Sequence, residues 1–221
     1  MIDNVEDPSP ISTPAAKPLV EEVRSFYQQD FLALIKTFFT NPITGLSTIF
    51  QFPPEKAFLH SIIIFVSVFL VYLTSSYLMA GDFREYMEFS AFLKISVVPV
   101  LFLLLLSALA YGIKMLFVGQ AFFRNELLTG ALCGIPLLVL VIVAILFTLF
   151  GNANGLAVLN DPLGSSGLVL LALVYILFLL ANTFQQSLRA AGVGEVIAWY
   201  LAPSSILLAM FVSAKVAGAI F

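Results

Sequence analysis

The fold of this chain is decided by an uninterrupted apolar stretch, LLTGALCGIPLLVLVIVAILFTLF, which runs from residue 127 to residue 150. It contains no Asp, Glu, Lys or Arg, and it exceeds the roughly 20 residues with which a helix crosses a bilayer. Of the 221 residues, 61% are hydrophobic and only 10% are charged, and the mean hydropathy is +1.05. Soluble domains carry about 25% charged residues. We therefore predict an integral membrane protein.

Four further charge-free stretches are long enough to cross the bilayer. Together they predict five transmembrane helices, at residues 57–80, 95–113, 127–150, 167–188 and 196–214. Alternation of apolar and polar residues with period two, which marks a membrane β-barrel, is absent. The predicted fold class is an all-α, multi-pass membrane protein in which residues 57–221 form a five-span domain.

The distribution of Lys and Arg predicts the orientation, because cytoplasmic loops carry an excess of basic residues. With a cytoplasmic N-terminus the division is seven against three: Lys17, Arg24, Lys36, Lys56, Lys114, Arg124 and Arg189 inside, and Arg84, Lys94 and Lys215 outside. We predict that the C-terminus lies on the opposite side. In a bacterium the membrane would be the inner one.

The first 56 residues differ in composition from the rest. Residues 1–18 contain four prolines and little apolar material, which predicts a disordered tail. Residues 19–56, here called the lead-in, are predicted to form amphipathic interfacial helices with Phe31 and Phe38 on the apolar face. Asn41 and Pro42 should end the first of these helices, because a residue before proline is pushed out of helical geometry. The polar face carries a net charge of −1, which favours packing against the bundle or apolar insertion over attraction to anionic lipid.

Residues that could support catalysis are few. No predicted span contains Asp, Glu, Lys or Arg, the groups that mark proton relays and charged substrate sites inside membranes. His60 is interpreted as an interfacial imidazole, and Cys133, the single cysteine, as a packing residue. Ser204 and Ser205 lack the glycines of a nucleophile elbow. We predict no enzymatic activity, no cofactor and no metal.

The remaining motifs concern packing. Gly130 and Gly134 form a GxxxG pair in the third span, and Ala108 and Gly112 repeat the small-residue spacing; such positions let another helix approach closely. We favour packing within the chain over self-association. Two further groups of residues are candidates: Pro99, Pro136 and Pro203 mark helix kinks, and Asn182, Gln185 and Gln186 form an amide cluster. For the amides we favour interhelical hydrogen bonds over a solute site.

The arrangement resembles the Yip family of Ypt/Rab-interacting, five-span membrane proteins, in its bacterial form. The resemblance rests on the segment Phe38–Gly45 with its Asn-Pro turn, the Pro-Pro-Glu-Lys-Ala lead into the first span, and the stretch from Tyr111 through Gly119 and Arg124 to Pro136. It implies a five-span helical domain with a cytoplasmic N-terminus and no catalytic residue. Eukaryotic members of the family organise secretory membranes by binding small GTPases and one another.

The expected function is a non-enzymatic membrane scaffold that acts through protein partners. Its partners are expected to be membrane lipids and either another protein or a second copy of the chain. A nucleic-acid partner is excluded by the net charge of −3. The alternative is a transporter of a small solute or a lipid, or a subunit of one, which would use the three proline-containing spans.

Overall fold

The structure is a computed structural model that describes residues 19–150 and 165–220. Both ranges are mainly helical and contain no strand, and five helices are long and apolar enough to cross a membrane. The prediction of an all-α, multi-pass membrane protein is therefore confirmed. The disordered tail predicted at residues 1–18 lies outside the described ranges.

The lead-in is a bent helical segment. It consists of α1 (Leu19–Ser25), a π-helical turn (Phe26–Asp30), α2 (Phe31–Thr40) and a 3₁₀-helix (Gly45–Gln51). The backbone N–H of Phe31 donates to the carbonyl of Phe26, a five-residue step that widens the helix locally. The helix ends at Thr40, and Asn41 takes φ −142° and ψ 68°, as the steric demand of the following Pro42 requires.

Five long helices form the membrane bundle. They are α3 (Pro54–Met79), α4 (Phe89–Val118), α5 (Phe123–Phe150), α6 (Ser165–Ala190) and α7 (Glu195–Ile220). The end of the bundle where α3 begins, α4 ends and α5 begins is called the lead-in end, and the other is called the opposite end. At the lead-in end α4 stops at Gly119, whose φ of 77° suits a residue without a Cβ and lets the chain turn back into α5.

The central helix of the bundle is α5, which packs against α3, α4 and α6, while α7 packs against α4 and α6. In its most apolar window α5 is 61% buried, compared with 33% for α3, α4 and α7. The outer surface of the bundle exposes large apolar side chains such as Leu70, Leu171 and Leu207. Extensive apolar exposure of this kind is unfavourable in water and suits contact with lipid.

The helices are longer than the charge-free stretches from which the spans were predicted. Several charged residues thereby enter helices that qualify as spans, and two of them are buried: Lys114 inside α4 and Glu126 inside α5. The sequence interpretation counted Lys114 among the loop residues and placed both residues between predicted spans of the 57–221 domain. The assignment of Lys114 to a loop is wrong, because α4 continues to Val118.

Candidate functional site at the lead-in end of the bundle

An amide clamp holds the lead-in against α6. The side-chain amide of Asn182 donates to the carbonyl of Pro42, and Gln186 Nε2 donates to the same oxygen at 2.6 Å. The backbone N–H of Leu46 donates to Gln186 Oε1 at 3.0 Å. Asn182 and Gln186 are four residues apart and so share one face of the helix. The predicted amide cluster thus bonds to the Asn-Pro turn of the lead-in, which no sequence pattern indicated.

Gln185 has a different environment from its two neighbours. It is buried, and its Nε2 atom has no hydrogen-bond partner within the part of the chain that the structure describes. The amide cluster therefore divides into two residues that bind the lead-in and one that does not.

The apolar face of the lead-in is buried against the bundle. Phe26 and Phe38 are each 1% exposed, and Leu34, Leu46 and Ile49 are buried with them. Phe31, predicted on the same face, is partly buried and packs against this core. The ring of Phe26 lies 4.6 Å from that of His60, and the hydroxyls of Tyr27 and Ser67 are hydrogen-bonded at 2.5 Å. The lead-in packs on the protein, as one of the two predicted arrangements required.

An ionic contact adds to this packing at the π-helical turn. Asp30, the last residue of the turn, places Oδ2 3.3 Å from Lys56 Nζ and 3.3 Å from His60 Nε2. His60 is only 3% exposed, so its interpretation as an interfacial imidazole is wrong. The lead-in covers this residue, which the span prediction placed at the membrane surface. The π-helical turn is the local feature that brings the carboxylate of Asp30 to α3.

A buried ion pair lies beneath the lead-in. Lys114 Nζ is 2.5 Å from Glu126 Oε2 and 2.8 Å from Ser187 Oγ. Thr129 Oγ1 is 3.1 Å from the same carboxylate oxygen and 2.5 Å from the Ser187 hydroxyl. All four residues are at most 6% exposed. A buried pair of charges is tolerated only with good geometry and additional hydrogen bonds, and the two hydroxyls supply these bonds. The network joins α4, α5 and α6.

Two features of the sequence could have revealed this network. The residues after Lys114 are Met-Leu-Phe-Val, so the apolar stretch continues for about one helical turn beyond the charge. Glu126 and Thr129 are three residues apart and therefore share a helix face. Neither feature identifies Ser187, which belongs to a helix much later in the chain.

A cavity of about 140 Å³ adjoins the ion pair. Its wall includes both charged residues and Asn125, and the lead-in supplies Phe50 and Phe52. The cavity is large enough for a few water molecules, each of which occupies about 30 Å³ in the liquid. Its polar groups are therefore covered by the lead-in, so that any movement of the lead-in would change the access of water to the ion pair.

The glycine pair of the third span packs within the bundle. A Cβ on Gly130 would overlap the carbonyl oxygen of Leu103 in α4, and one on Gly134 would lie 2.9 Å from Val68 Cγ2 in α3. The second small-residue pair faces elsewhere, since Ala108 is exposed and a Cβ on Gly112 would meet nothing within 4 Å.

The three prolines occupy different environments inside helices that continue through them. Pro136 is buried in α5, Pro203 is exposed on α7, and Pro99 of α4 lines a second, larger cavity. This cavity has a volume of about 540 Å³ and lies between α4, α6 and α7, on the side of the opposite end. Its lining is almost entirely apolar.

The two nucleophiles that the sequence analysis considered, Cys133 and the Ser204–Ser205 pair, lie apart from the two ionic clusters described above. Cys133 is fully buried among apolar residues. Residues 19–150 and 165–220 hold no cluster of three or more His, Cys, Asp or Glu side chains that could bind a metal ion. Ser204 donates its hydroxyl to the carbonyl of Tyr200 at 2.8 Å, one turn earlier in its own helix.

Comparison of the chain with protein-family models, with curated proteins and with solved structures finds no match. The resemblance to the Yip family therefore rests on the quoted segments of the sequence. The function has to be inferred from the fold and from the contacts at the lead-in end.

Proposed function

We propose that this protein is a non-enzymatic membrane scaffold of Yip type, which binds a protein partner on the outer face of its docked lead-in. The observation that carries the proposal is the amide clamp: Asn182 and Gln186 bond to Pro42 and fix the lead-in on the bundle. A segment that is fixed in this way presents a preformed surface and loses little conformational entropy when it binds a partner.

The outer face of the lead-in has a composition suited to a protein partner. It exposes the apolar side chains Val20, Leu32, Phe39 and Ile43 beside polar residues. Interfaces combine apolar anchors with a polar rim. The net charge of −1 gives this face no attraction to anionic headgroups. If the N-terminus is cytoplasmic, as the basic residues predict, the partner is a cytoplasmic or membrane-bound protein.

The test uses substitutions on the exposed face, because deletion of the lead-in would also uncover the buried ion pair. In the full-length protein, Leu32→Ser with Phe39→Ser should abolish co-purification of the partner in mild detergent. Leu207→Ser with Phe211→Ser, at exposed apolar positions of α7, should leave it unchanged. The partner is then purified and titrated against both variants. Equal affinity for the two variants would show that the outer face is not the binding surface.

The alternative function is transport, and the larger cavity favours a lipid over a small solute. Between the two ends the described core is aliphatic, with Leu103, Leu106 and Leu132 fully buried. Buried hydroxyls of this core such as Ser96 and Ser107 already donate to backbone carbonyls, and the lining of the cavity of about 540 Å³ is almost entirely apolar. Reconstitution into vesicles tests the alternative. Protein-dependent movement of a labelled phospholipid between leaflets would favour transport over the scaffold as the function.

A further inference from the structure

The wall of the cavity beside Pro99 includes a polar atom that has no hydrogen-bond partner among the described residues. Ser213 lines the cavity and is 4% exposed, and its Oγ makes no hydrogen bond to any described residue. Other buried hydroxyls in the membrane helices donate to the carbonyl one turn earlier, as Ser96 does to Phe92 at 2.7 Å and Thr183 to Leu179 at 2.7 Å. A buried hydroxyl without a partner is unfavourable, and a ligand with a hydrogen-bond acceptor would relieve the cost.

The shape of the cavity limits what can occupy it. In each of three helices the first and last residues that line the cavity are seven positions apart: Ile95 and Phe102, Leu173 and Leu180, and Met210 and Ala217. Seven residues advance about 10 Å along a helix, a third of the hydrocarbon thickness of a bilayer. A groove of this length with an almost entirely apolar lining suits a polymethylene chain.

The position of the cavity indicates which molecule reaches it. Leu173 and Met210 line the cavity and are also 42% and 44% exposed on the outside of the bundle, so the cavity opens sideways to the lipid. Lys215, two residues from Ser213, lies on another face of α7, where its Nζ is 5.8 Å from the ring centroid of Phe211. It therefore does not line the cavity.

We propose that this cavity binds one acyl chain of a membrane phospholipid, with the Ser213 hydroxyl donating to the ester carbonyl. The ester carbonyl is the hydrogen-bond acceptor attached directly to the chain, so a chain lying along the apolar wall brings an acceptor to Ser213. The inference rests on the cavity alone and does not depend on a protein partner. Binding without movement of lipid between leaflets would exclude transport and leave this inference intact.

The test measures lipid binding to the full-length protein after removal of native lipid in detergent. Phosphatidylglycerol is added in steps and bound lipids are counted by native mass spectrometry; we expect one saturable molecule per chain. Ser213→Ala should weaken it about fivefold, the effect of one neutral hydrogen bond. Ser204→Ala is the matched control, because that hydroxyl already has a partner in its own helix, and its affinity should be unchanged.

A second pair of variants tests the cavity itself. Leu177→Trp places a larger side chain in the wall and should remove the saturable lipid, while Leu171→Trp, at an exposed position of the same helix, should keep it. Equal binding by these two variants, or by the two serine variants, overturns the proposal. So does saturable binding of oleate without binding of phosphatidylglycerol.

A measurement on the unaltered protein keeps the proposal testable if Leu177→Trp does not fold. The protein is placed in phosphatidylcholine vesicles with a trace of phosphatidylglycerol that carries a diazirine midway along one chain. After illumination, residues 173–180 and 210–217 should be labelled at least about fivefold more strongly than the exposed Leu171 and Leu207. Equal labelling at all of these positions would mean that the cavity holds no more lipid than the surface does.

Discussion

Substitution of Lys114 by Met tests the buried network at the lead-in end. The change removes the cation 2.5 Å from Glu126 and leaves that carboxylate with Thr129 as its remaining partner in the network. Both charged side chains are 7% exposed, so bulk water does not reach the carboxylate, and only water in the adjoining cavity could contact it. Breaking a buried pair in this way costs about 3–5 kcal/mol. For a chain of this size 1 kcal/mol corresponds to about 2–4 °C, so the melting temperature should fall by about 6–20 °C.

The assay is thermal unfolding of the purified protein in mild detergent, with two reference variants. Arg189→Met breaks an ion pair whose side chains are 40% and 59% exposed, and it should cost less than about 1 kcal/mol. Lys114→Met combined with Glu126→Leu removes both charges and should recover most of the lost stability, because an apolar pair can replace a buried ion pair at little cost. A loss for Lys114→Met no larger than that for Arg189→Met would refute the burial of the pair.

Three further outcomes are expected. Gln186→Ala should release the lead-in and speed its proteolysis in detergent. Gln185→Ala should leave the cleavage rate unchanged, because the amide nitrogen of Gln185 has no described partner. Equal cleavage rates for the two variants would argue against the clamp. Gly130→Leu should lower the melting temperature by forcing α5 away from α4. Gly112 has open space around it, so Gly112→Leu should shift the melting temperature by less than about 2 °C. Similar losses for the two variants would contradict the packing of Gly130 against α4. A reporter fused after the last residue should register outside the cytoplasm and one between α4 and α5 inside, and the reverse result would invert the predicted orientation.

The number and type of spans could be predicted from the sequence because the bilayer imposes a length that needs no knowledge of tertiary contacts. The ends of the spans could not be predicted in the same way. A charge was taken as the end of a span, but α4 continues past Lys114 because Glu126, 12 positions further along the chain, returns to meet it after the turn at Gly119. That pairing depends on how two helices pack, which hydropathy does not describe.

The position of the lead-in on the bundle could not be predicted either, because it depends on residues that are far apart in the sequence. Helical spacing identified its apolar face, including Phe38, since the period of 3.6 residues is a local property. Whether that face meets lipid or protein depends on Asn182 and Gln186, which lie 140 and 144 positions from Pro42. The two amides were recognised as polar groups near the membrane surface. Their acceptor could not be identified, because the carbonyl of any turn or helix end is free to accept a hydrogen bond.

The two ends of the bundle are built differently, and this difference determines where the protein can adapt. At the lead-in end, the Lys114 network joins α4, α5 and α6, and the amide clamp adds the lead-in, so these elements are held by directional bonds. By contrast, the half of α7 nearer the opposite end lines the apolar cavity with Met210, Ala214 and Ala217. Apolar packing is not directional and permits sliding at lower cost than the breaking of a buried ion pair. We therefore expect that a lipid entering the cavity displaces α7 at the opposite end and leaves the lead-in and its outer face in place.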